Sequence, residues 1–381
     1  MLYFDNAATT WPKPAEVKNA VLSALTYYGA NPGRSGHRMA IETAAQVFEC
    51  RERAATLFGC SEPENVIFTK NCTEALNIAI CSAALGGHCV ISDLEHNSVL
   101  RPLYKMQLSG KGEFSIAEVD LHSEEQTLAN FEHAMQKNTR AVVLTGASNV
   151  FGIKPPVLKI AKLAHEHGAL FILDAAQTAG AEKYDMEQSG IDFICAPGHK
   201  GLLGPTGTGI LVTKKPKILK PLIFGGTGSY SLDFTQPPDM PERMESGTLN
   251  VPGICGLSAG IEKVSAEGES TISEREMQLA QMIYAELSST KNVTLFTPPP
   301  KAATSAAVIS FVISDLTGEQ TAAELAARGA ATRGGFHCAA LAHRKFGTEK
   351  RGTCRISIGP MNTFDEALKL VRIIHTVAKE N

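Results

Sequence analysis

From about Asn65 to Val212 the chain alternates short apolar runs with amphipathic stretches of helical period, and this alternation restricts the fold more than any other feature. The apolar runs are Val66-Ile67-Phe68, Val90-Ile91, Ala141-Val142-Val143-Leu144 and Leu170-Phe171-Ile172-Leu173; helical patterns span Thr73 to Leu85 and Val157 to His167. Short strands separated by helices must pair in parallel through crossovers. The sequence therefore predicts an α/β fold, a mainly parallel sheet covered by helices on both faces. Ligands of such folds sit at the carboxyl ends of the strands.

A Gly- and Pro-rich segment from Phe224 to Gly253 carries neither period and reads as a functional loop system. Beyond it the pattern changes. A charged helical stretch near Thr271 to Leu287 leads to strands around Val293 to Phe296 and Ala307 to Ile313, a helix from Glu319 to Arg328, a strand from Arg355 to Ile358 and a last helix from Asp365. This is the pattern of a separate, smaller α+β domain. The expected division is 15–252 for the large domain, with 1–14 and 253–381 forming the small one. The polar, Gly-punctuated stretch Arg344 to Gly352 reads as an exposed, mobile loop.

A formal net charge of -3 supplies no electrostatic reason to bind nucleic acid or an acidic membrane. The N-terminus has no basic region followed by a long apolar run, so neither a signal peptide nor a membrane span is expected, and the reading is cytoplasmic. Nine scattered cysteines, mostly inside apolar runs, show no zinc spacing and read as small buried hydrophobes, not a disulfide framework.

Asp174 and Gln177 end the Leu170 to Leu173 run, and Pro197-Gly198-His199-Lys200 follows. A carboxylate, an amide, an imidazole and a lysine are the set that pyridoxal 5'-phosphate requires: Lys200 for a Schiff base, Asp174 to keep the ring nitrogen protonated, Gln177 and His199 as donors to the phenolic oxygen and phosphate. Singly, Asp174 reads as a strand cap and Lys200 as a solvated side chain. Their joint order outweighs that reading. Cys72, Thr73 and Glu74 open a helical run after a strand, where free backbone amides suit a phosphate. His96 follows another strand and is placed to stack on a flat ring. Asn149 closes the Val142 to Leu144 strand and could face a ligand, or serve only as a turn asparagine. Arg355 begins a late strand from which its fork could hold a substrate carboxylate, with Arg333 a second anion contact.

Cys338 stands apart from the other cysteines, outside any apolar periodic run, in Arg333-Gly334-Gly335-Phe336-His337-Cys338-Ala339-Ala340. A thiol beside an imidazole and near a guanidinium, positive groups that would favour the thiolate, in Gly-rich chain that can move, is read as a reactive nucleophile.

These residues together resemble the cysteine desulfurase and selenocysteine lyase family, the class V aminotransferase branch of the fold-type I pyridoxal-phosphate enzymes. The resemblance runs through Tyr3-Phe4-Asp5-Asn6-Ala7-Ala8-Thr9-Thr10, Asn31-Pro32-Gly33-Arg34-Ser35-Gly36-His37, Thr73-Glu74-Ala75-Leu76-Asn77, Glu95-His96-Asn97-Ser98, Ser148-Asn149-Val150, Asp174-Ala175-Ala176-Gln177, Gly198-His199-Lys200, Gly247-Thr248, His337-Cys338-Ala339 and Arg355-Ile356-Ser357.

The resemblance implies a seven-stranded, mainly parallel sheet and a homodimer in which Thr248 reaches the neighbouring subunit's phosphate. It implies that Lys200 carries the cofactor, Asp174 pairs with the ring nitrogen, Gln177 contacts the phenolic oxygen and His96 stacks on the ring. Thr73 and His199 would hold phosphate, Asn149 and Arg355 the substrate carboxylate, with Arg333 and His37 as further substrate contacts. Cys338 would take sulfur from L-cysteine, leaving L-alanine, and pass it to an acceptor protein or small thiol. Selenocysteine lyase, or a class V transaminase or epimerase, are the alternatives. Two departures stand out: Pro197 replaces a serine that many members use as a phosphate ligand, and Met361 stands where an aromatic is usual.

Overall fold

The computed structural model describes residues 1–33 and 36–381; Arg34 and Ser35 of the 31–37 motif lie outside the described residues. In chain order the first part comprises β1 (Leu2–Tyr3), α1 (Ala15–Tyr27), α2 (Arg38–Leu57), β2 (Val66–Thr69), α3 (Cys72–Ala83), β3 (His88–Ser92), α4 (Asn97–Leu108), β4 (Glu113–Ala117), α5 (Glu124–Ala134), β5 (Thr139–Thr145), α6 (Val157–Glu166), β6 (Leu170–Asp174), α7 (Met186–Ser189), β7 (Phe193–Pro197) and β8 (Gly209–Thr213). The second part comprises α8 (Val251–Glu267), α9 (Glu269–Ser288), β9 (Val293–Leu295), β10 (Val308–Ile313), α10 (Gly318–Ala327), β11 (Ala330–Ala331), β12 (Arg333–Gly335), α11 (Ala340–Lys345), β13 (Thr353–Ser357) and α12 (Phe364–Glu380).

Seven strands form the large sheet in the order β2-β8-β7-β6-β5-β3-β4. Only β8 runs against the others, pairing antiparallel with both β7 and β2. Ala141 to Leu144 and Phe171 to Leu173 are fully buried because helices cover both faces. Each valine, leucine, isoleucine or phenylalanine among them contributes about 1.5–3 kcal/mol by leaving water. The α/β architecture expected from the alternating pattern is therefore the one observed, with α4, β4, α5, α7, β7 and β8 added to the strands and helices read from sequence.

A four-stranded antiparallel sheet, β12-β13-β10-β9, organises a second core with α9, α10 and α12. Helix α8 belongs to the first core: Ile254, Leu257, Ile261 and Val264 pack with the large sheet's side chains. The N-terminal segment ties the two cores together. Its β1 pairs with β11, Asp5 bridges to Ser357, and Asn6 Nδ2 donates to the Ser357 carbonyl and Asn362 Oδ1, both at 3.0 Å.

The stretch Arg344 to Gly352 differs from the mobile loop expected. Its start completes α11, Phe346 stacks on Phe151 with ring centroids 3.9 Å apart, and Thr348 is buried against His343 Nδ1 at 2.6 Å. Lys345 forms ion pairs with Asp93 and Glu118, and Arg351 donates to the Ser314 and Leu316 carbonyls. Of the glycines that suggest mobility, Gly347 stands in open space, whereas Gly352 and Gly334 serve close packing. A Cβ on Gly334 would lie 2.4 Å from the Gly318 carbonyl oxygen, so only glycine lets β12 approach α10.

The unpatterned segment after β8 is held by one buried ion pair. Arg51 of α2 forks onto Glu245, both side chains 4 % exposed, and also reaches the Val66 carbonyl; Glu245 Oε1 accepts from the Phe68 amide at 2.6 Å. Removing one partner strands a charge in the interior. Arg51→Leu is expected to cost about 3–5 kcal/mol in equilibrium unfolding, with Arg51→Leu/Glu245→Met recovering most of the loss. Equal destabilisation by the single and double variants would contradict this account.

Candidate active site

The carboxyl ends of β5, β6 and β7 and the N-termini of α3 and α4 enclose a cavity of roughly 120 Å³, partly open to solvent. Its walls include Cys72, Thr73, His96, Ser98, Asn149, Asp174, Gln177, His199 and Lys200. Nine residues from five separate stretches of chain thus meet as strand-end geometry requires.

Asp174, 2 % exposed, ends β6; its Oδ1 accepts from the Ala176 amide at 2.9 Å and lies 3.6 Å from the Cys72 thiol. Burial and then Asp174 push that thiol's pKa well up, so Cys72 is a neutral neighbour of the carboxylate. Gln177 Nε2 donates to the Ala7 carbonyl at 3.2 Å. Lys200 follows β7 in a turn whose preceding carbonyl, that of His199, accepts from Thr10 N, Thr9 Oγ1 and Lys13 Nζ. The N-terminal segment therefore fixes the backbone on which Lys200 stands. Removal from water, then the Arg355 charge, lower the lysine's pKa from 10.5 to about 8, against the opposing pull of Asp174.

Helix α3 is capped by Asn71, whose Oδ1 accepts from the Glu74 amide at 3.0 Å. Of the expected cradle, Glu74 turns its carboxylate to the Lys70 amide at 2.6 Å, whereas Cys72 and Thr73 line the cavity at the positive end of the helix. His96 caps α4, its Nδ1 accepting from the Ser98 amide at 3.0 Å; in the neutral ring the proton therefore sits on Nε2. Burial, the largest effect, lowers its pKa. Ser98 Oγ lies 2.9 Å from that ring nitrogen and 2.8 Å from Thr73 Oγ1. Sequence reasoning missed Ser98 and Asn71. The signal was available for Asn71, an asparagine three residues before a glutamate at a helix start. His199 has its Nδ1 buried without a partner, and burial followed by Lys200 lowers its pKa to about 4.

Arg355 is 1 % exposed, and its fork is already engaged: Nη2 on Asp5 Oδ1 at 2.7 Å and Nη1 on the Asn149 carbonyl at 2.9 Å. Its Nε is buried and unpartnered. Arg333 stands directly across from Arg355 in the β12–β13 register, so two like charges share one face of the small sheet. Such a pair invites an anion between them. Asn149 Nδ2 donates to the His337 carbonyl at 2.7 Å, while its Oδ1 is buried without a partner.

Cys338 is exposed and follows His337 in a turn where both have positive φ, +51° and +56°. Two successive non-glycine residues in that region cost on the order of 1–3 kcal/mol each, strain of a kind that gathers at functional sites. The expectation that His337 adds positive charge beside the thiol is overturned. His337 is 5 % exposed, its Nε2 donates to the Arg333 carbonyl at 3.1 Å, and burial followed by Arg355 drives its pKa to about 3. It is a neutral structural ring. Arg333, Arg355 and Cys338 do not line this cavity, nor do two further expected residues. His37 is exposed and caps α2 through Ala40 N, and Thr248 lines a separate cavity with Lys70 and Glu74.

The arrangement offers an anion site at a helix end, a carboxylate able to hold a cation, an amine shifted toward its neutral form, and clustered guanidinium charge.

The chain matches the Aminotransferase class-V family over residues 2–370. It is 32 % identical to a probable cysteine desulfurase of Methanothermobacter thermautotrophicus, across 99 % of this chain and 94 % of that protein. Among solved structures it resembles the apo cysteine desulfurase of Thermococcus onnurineus NA1, with a TM-score of 0.90, 30 % identity, and 100 % and 95 % of the two chains covered. The cysteine desulfurase CsdA of Escherichia coli superposes with a TM-score of 0.87 at 26 % identity, covering 100 % and 94 %. The fold is thus the fold-type I architecture with its smaller domain.

Burial raises the thiol pKa of Cys50, Cys72, Cys89, Cys195 and Cys354, and Cys338 alone of the nine is exposed. Iodoacetamide near neutral pH is expected to label Cys338 at least about tenfold faster than the other eight, as read by peptide mass mapping. Comparable labelling of Cys72 or Cys195 would contradict the geometry.

Proposed function

Because the chain belongs to the class-V aminotransferase family, among its cysteine desulfurase members, we propose that it is a pyridoxal-phosphate-dependent enzyme that converts L-cysteine to L-alanine and collects the sulfur on Cys338. The observation that carries the reading is the pairing of a buried-amine lysine beside Asp174 with an exposed cysteine on a strained turn.

The donor set suits the cofactor. The helix end at Cys72 and Thr73, together with the unpartnered His199 Nδ1, is fitted to a phosphate, and the Thr73–Ser98 hydroxyl pair supplies polar contact that Pro197 lacks. Asp174 is fitted to a protonated ring nitrogen, Gln177 to the phenolic oxygen, and His96, fixed by Ser98, to a ring face. When bound, the cofactor stores the electron pair that substrate carbon releases.

Asn149 and Arg355, the latter through its open Nε, orient the substrate carboxylate in the field of Arg333. Lys200 both carries the cofactor and, with its amine neutral above about pH 8, takes the α-proton. Cys338 thiolate then attacks the substrate sulfur. The carbon–sulfur bond breaks with its electrons staying on carbon, which takes up a proton to become the alanine methyl; Cys338 is oxidised to a persulfide. Its exposed position suits delivery to an acceptor protein or small thiol.

We further read the protein as a homodimer. Leu22, Leu25, Met39 and Ile41 on α1 and α2, and Leu232 and Phe234 in the segment after β8, are exposed apolar side chains that a second copy would cover. Thr248, exposed away from this chain's own cavity, is then free to serve the partner's phosphate.

The deciding assay measures alanine and sulfide from L-cysteine, and alanine and selenide from L-selenocysteine, for the wild type and Cys338→Ser. Loss of sulfide with selenide retained supports the desulfurase; sulfide release unchanged in Cys338→Ser removes the thiol from the reaction. A selenol ionises and departs without help, which is why the two substrates separate the roles. Capture of pyridoxal phosphate by cofactor-free protein, trapped with borohydride on Lys200, is expected to rise with pH up to about 8 and level above it. The sign follows from the lowered pKa, since only the neutral amine reacts. A rise continuing toward the ordinary lysine value would contradict it.

A further inference from the structure

Asn149 has a contact that holding a carboxylate does not require. Its Nδ2 donates to the His337 carbonyl at 2.7 Å, the peptide immediately before Cys338. That peptide joins two left-handed residues, so the turn stays formed only while its surroundings hold it. Few groups do so. The Cys338 carbonyl accepts from the Asn97 amide at 2.8 Å, the Phe336 carbonyl accepts from the Ala339 amide at 3.0 Å, and His337 is anchored through its ring to Arg333. Among the described residues, Asn149 is the one side chain of the candidate cavity with a hydrogen bond to the turn.

Asn149 is itself rigidly placed. Its own carbonyl accepts from Arg355 Nη1, and the next carbonyl, that of Val150, accepts from Ser310 Oγ at 2.6 Å. The amide's orientation is decided by His337: a carbonyl oxygen must face the Nδ2, which leaves Oδ1 buried without a donor. A buried unpartnered oxygen is unfavourable, so the contact with His337 must outweigh it.

We propose that Asn149 is the positioning residue for Cys338: the side chain that orients the substrate's carboxylate also locks the turn bearing the thiol, so that one amide sets the distance between the two reactants. The inference rests on the desulfurase reading above. Misplacing a reactant by about an ångström costs on the order of a hundredfold in rate, so a single anchor shared by nucleophile and substrate has kinetic consequence.

The test compares cofactor-loaded wild type with Asn149→Ala and Asn149→Asp, the second keeping the shape while losing the donor. Amide hydrogen exchange over residues 336–341 should quicken about fivefold in both variants, the shift that loss of one ordinary hydrogen bond produces. Loss of carboxylate orientation should raise KM for cysteine and selenocysteine by the same factor. Loss of thiol placement should lower kcat for cysteine at least about tenfold while moving kcat for selenocysteine less than about threefold. Unchanged exchange over 336–341, or equal kcat losses on both substrates, overturns the proposal. A wild type inactive on both substrates refutes the desulfurase reading instead, and the exchange measurement then still decides whether Asn149 holds the turn.

Discussion

The site is governed by positive charge withheld from water. Lys200 and the buried Arg355 converge where the two cores meet, with the exposed Arg333 beside them and Asp174 and Asp5 as acidic neighbours. Desolvation raises the cost of the Lys200 and Arg355 charges, and repulsion among the three cations adds to it. Lys200 responds by shifting toward its neutral amine, and the nearby rings of His96, His199 and His337 are all driven toward neutrality by the same burial. What remains is a cavity short of negative charge, which suits a phosphate at one end and a carboxylate at the other.

Holding these groups together falls to backbone carbonyls and to the N-terminal segment. Residues Asp5 to Lys13 cross from the small sheet to the turn at His199, supplying a counter-charge to Arg355 on the way and three donors to the carbonyl ahead of Lys200. The same segment receives the Gln177 amide at the Ala7 carbonyl. A stretch with almost no regular structure thus links both cores to the reactive lysine, and the charged groups could not keep their spacing without it.

Much of this was legible in the chain. The alternation between Asn65 and Val212 foretold the parallel sheet because buried strands are apolar throughout, and Asp174, Gln177, His199 and Lys200 were readable because strand ends are where ligands bind. The misreadings share a physical cause. In the sequence Gly334 and Gly352 read as signs of motion, yet each permits close backbone packing, a property visible only when the neighbouring chain is in place. Adjacency in sequence suggests a charged His337, but its protonation depends on burial and on Arg355, and neither is local. Asn149 was marked as facing a ligand; its contact with His337, 188 residues away, follows from tertiary structure alone.

In the proposed function, sulfur leaves the substrate for Cys338 and for no other atom of the protein. A single turnover of the cofactor-loaded enzyme with L-cysteine, quenched with an alkylating agent and mapped by peptide mass spectrometry, tests this directly. The expected result is one additional sulfur on the Cys338 peptide and one alanine per active site. An unmodified Cys338 accompanied by alanine, or a persulfide on another of the nine cysteines, would contradict it.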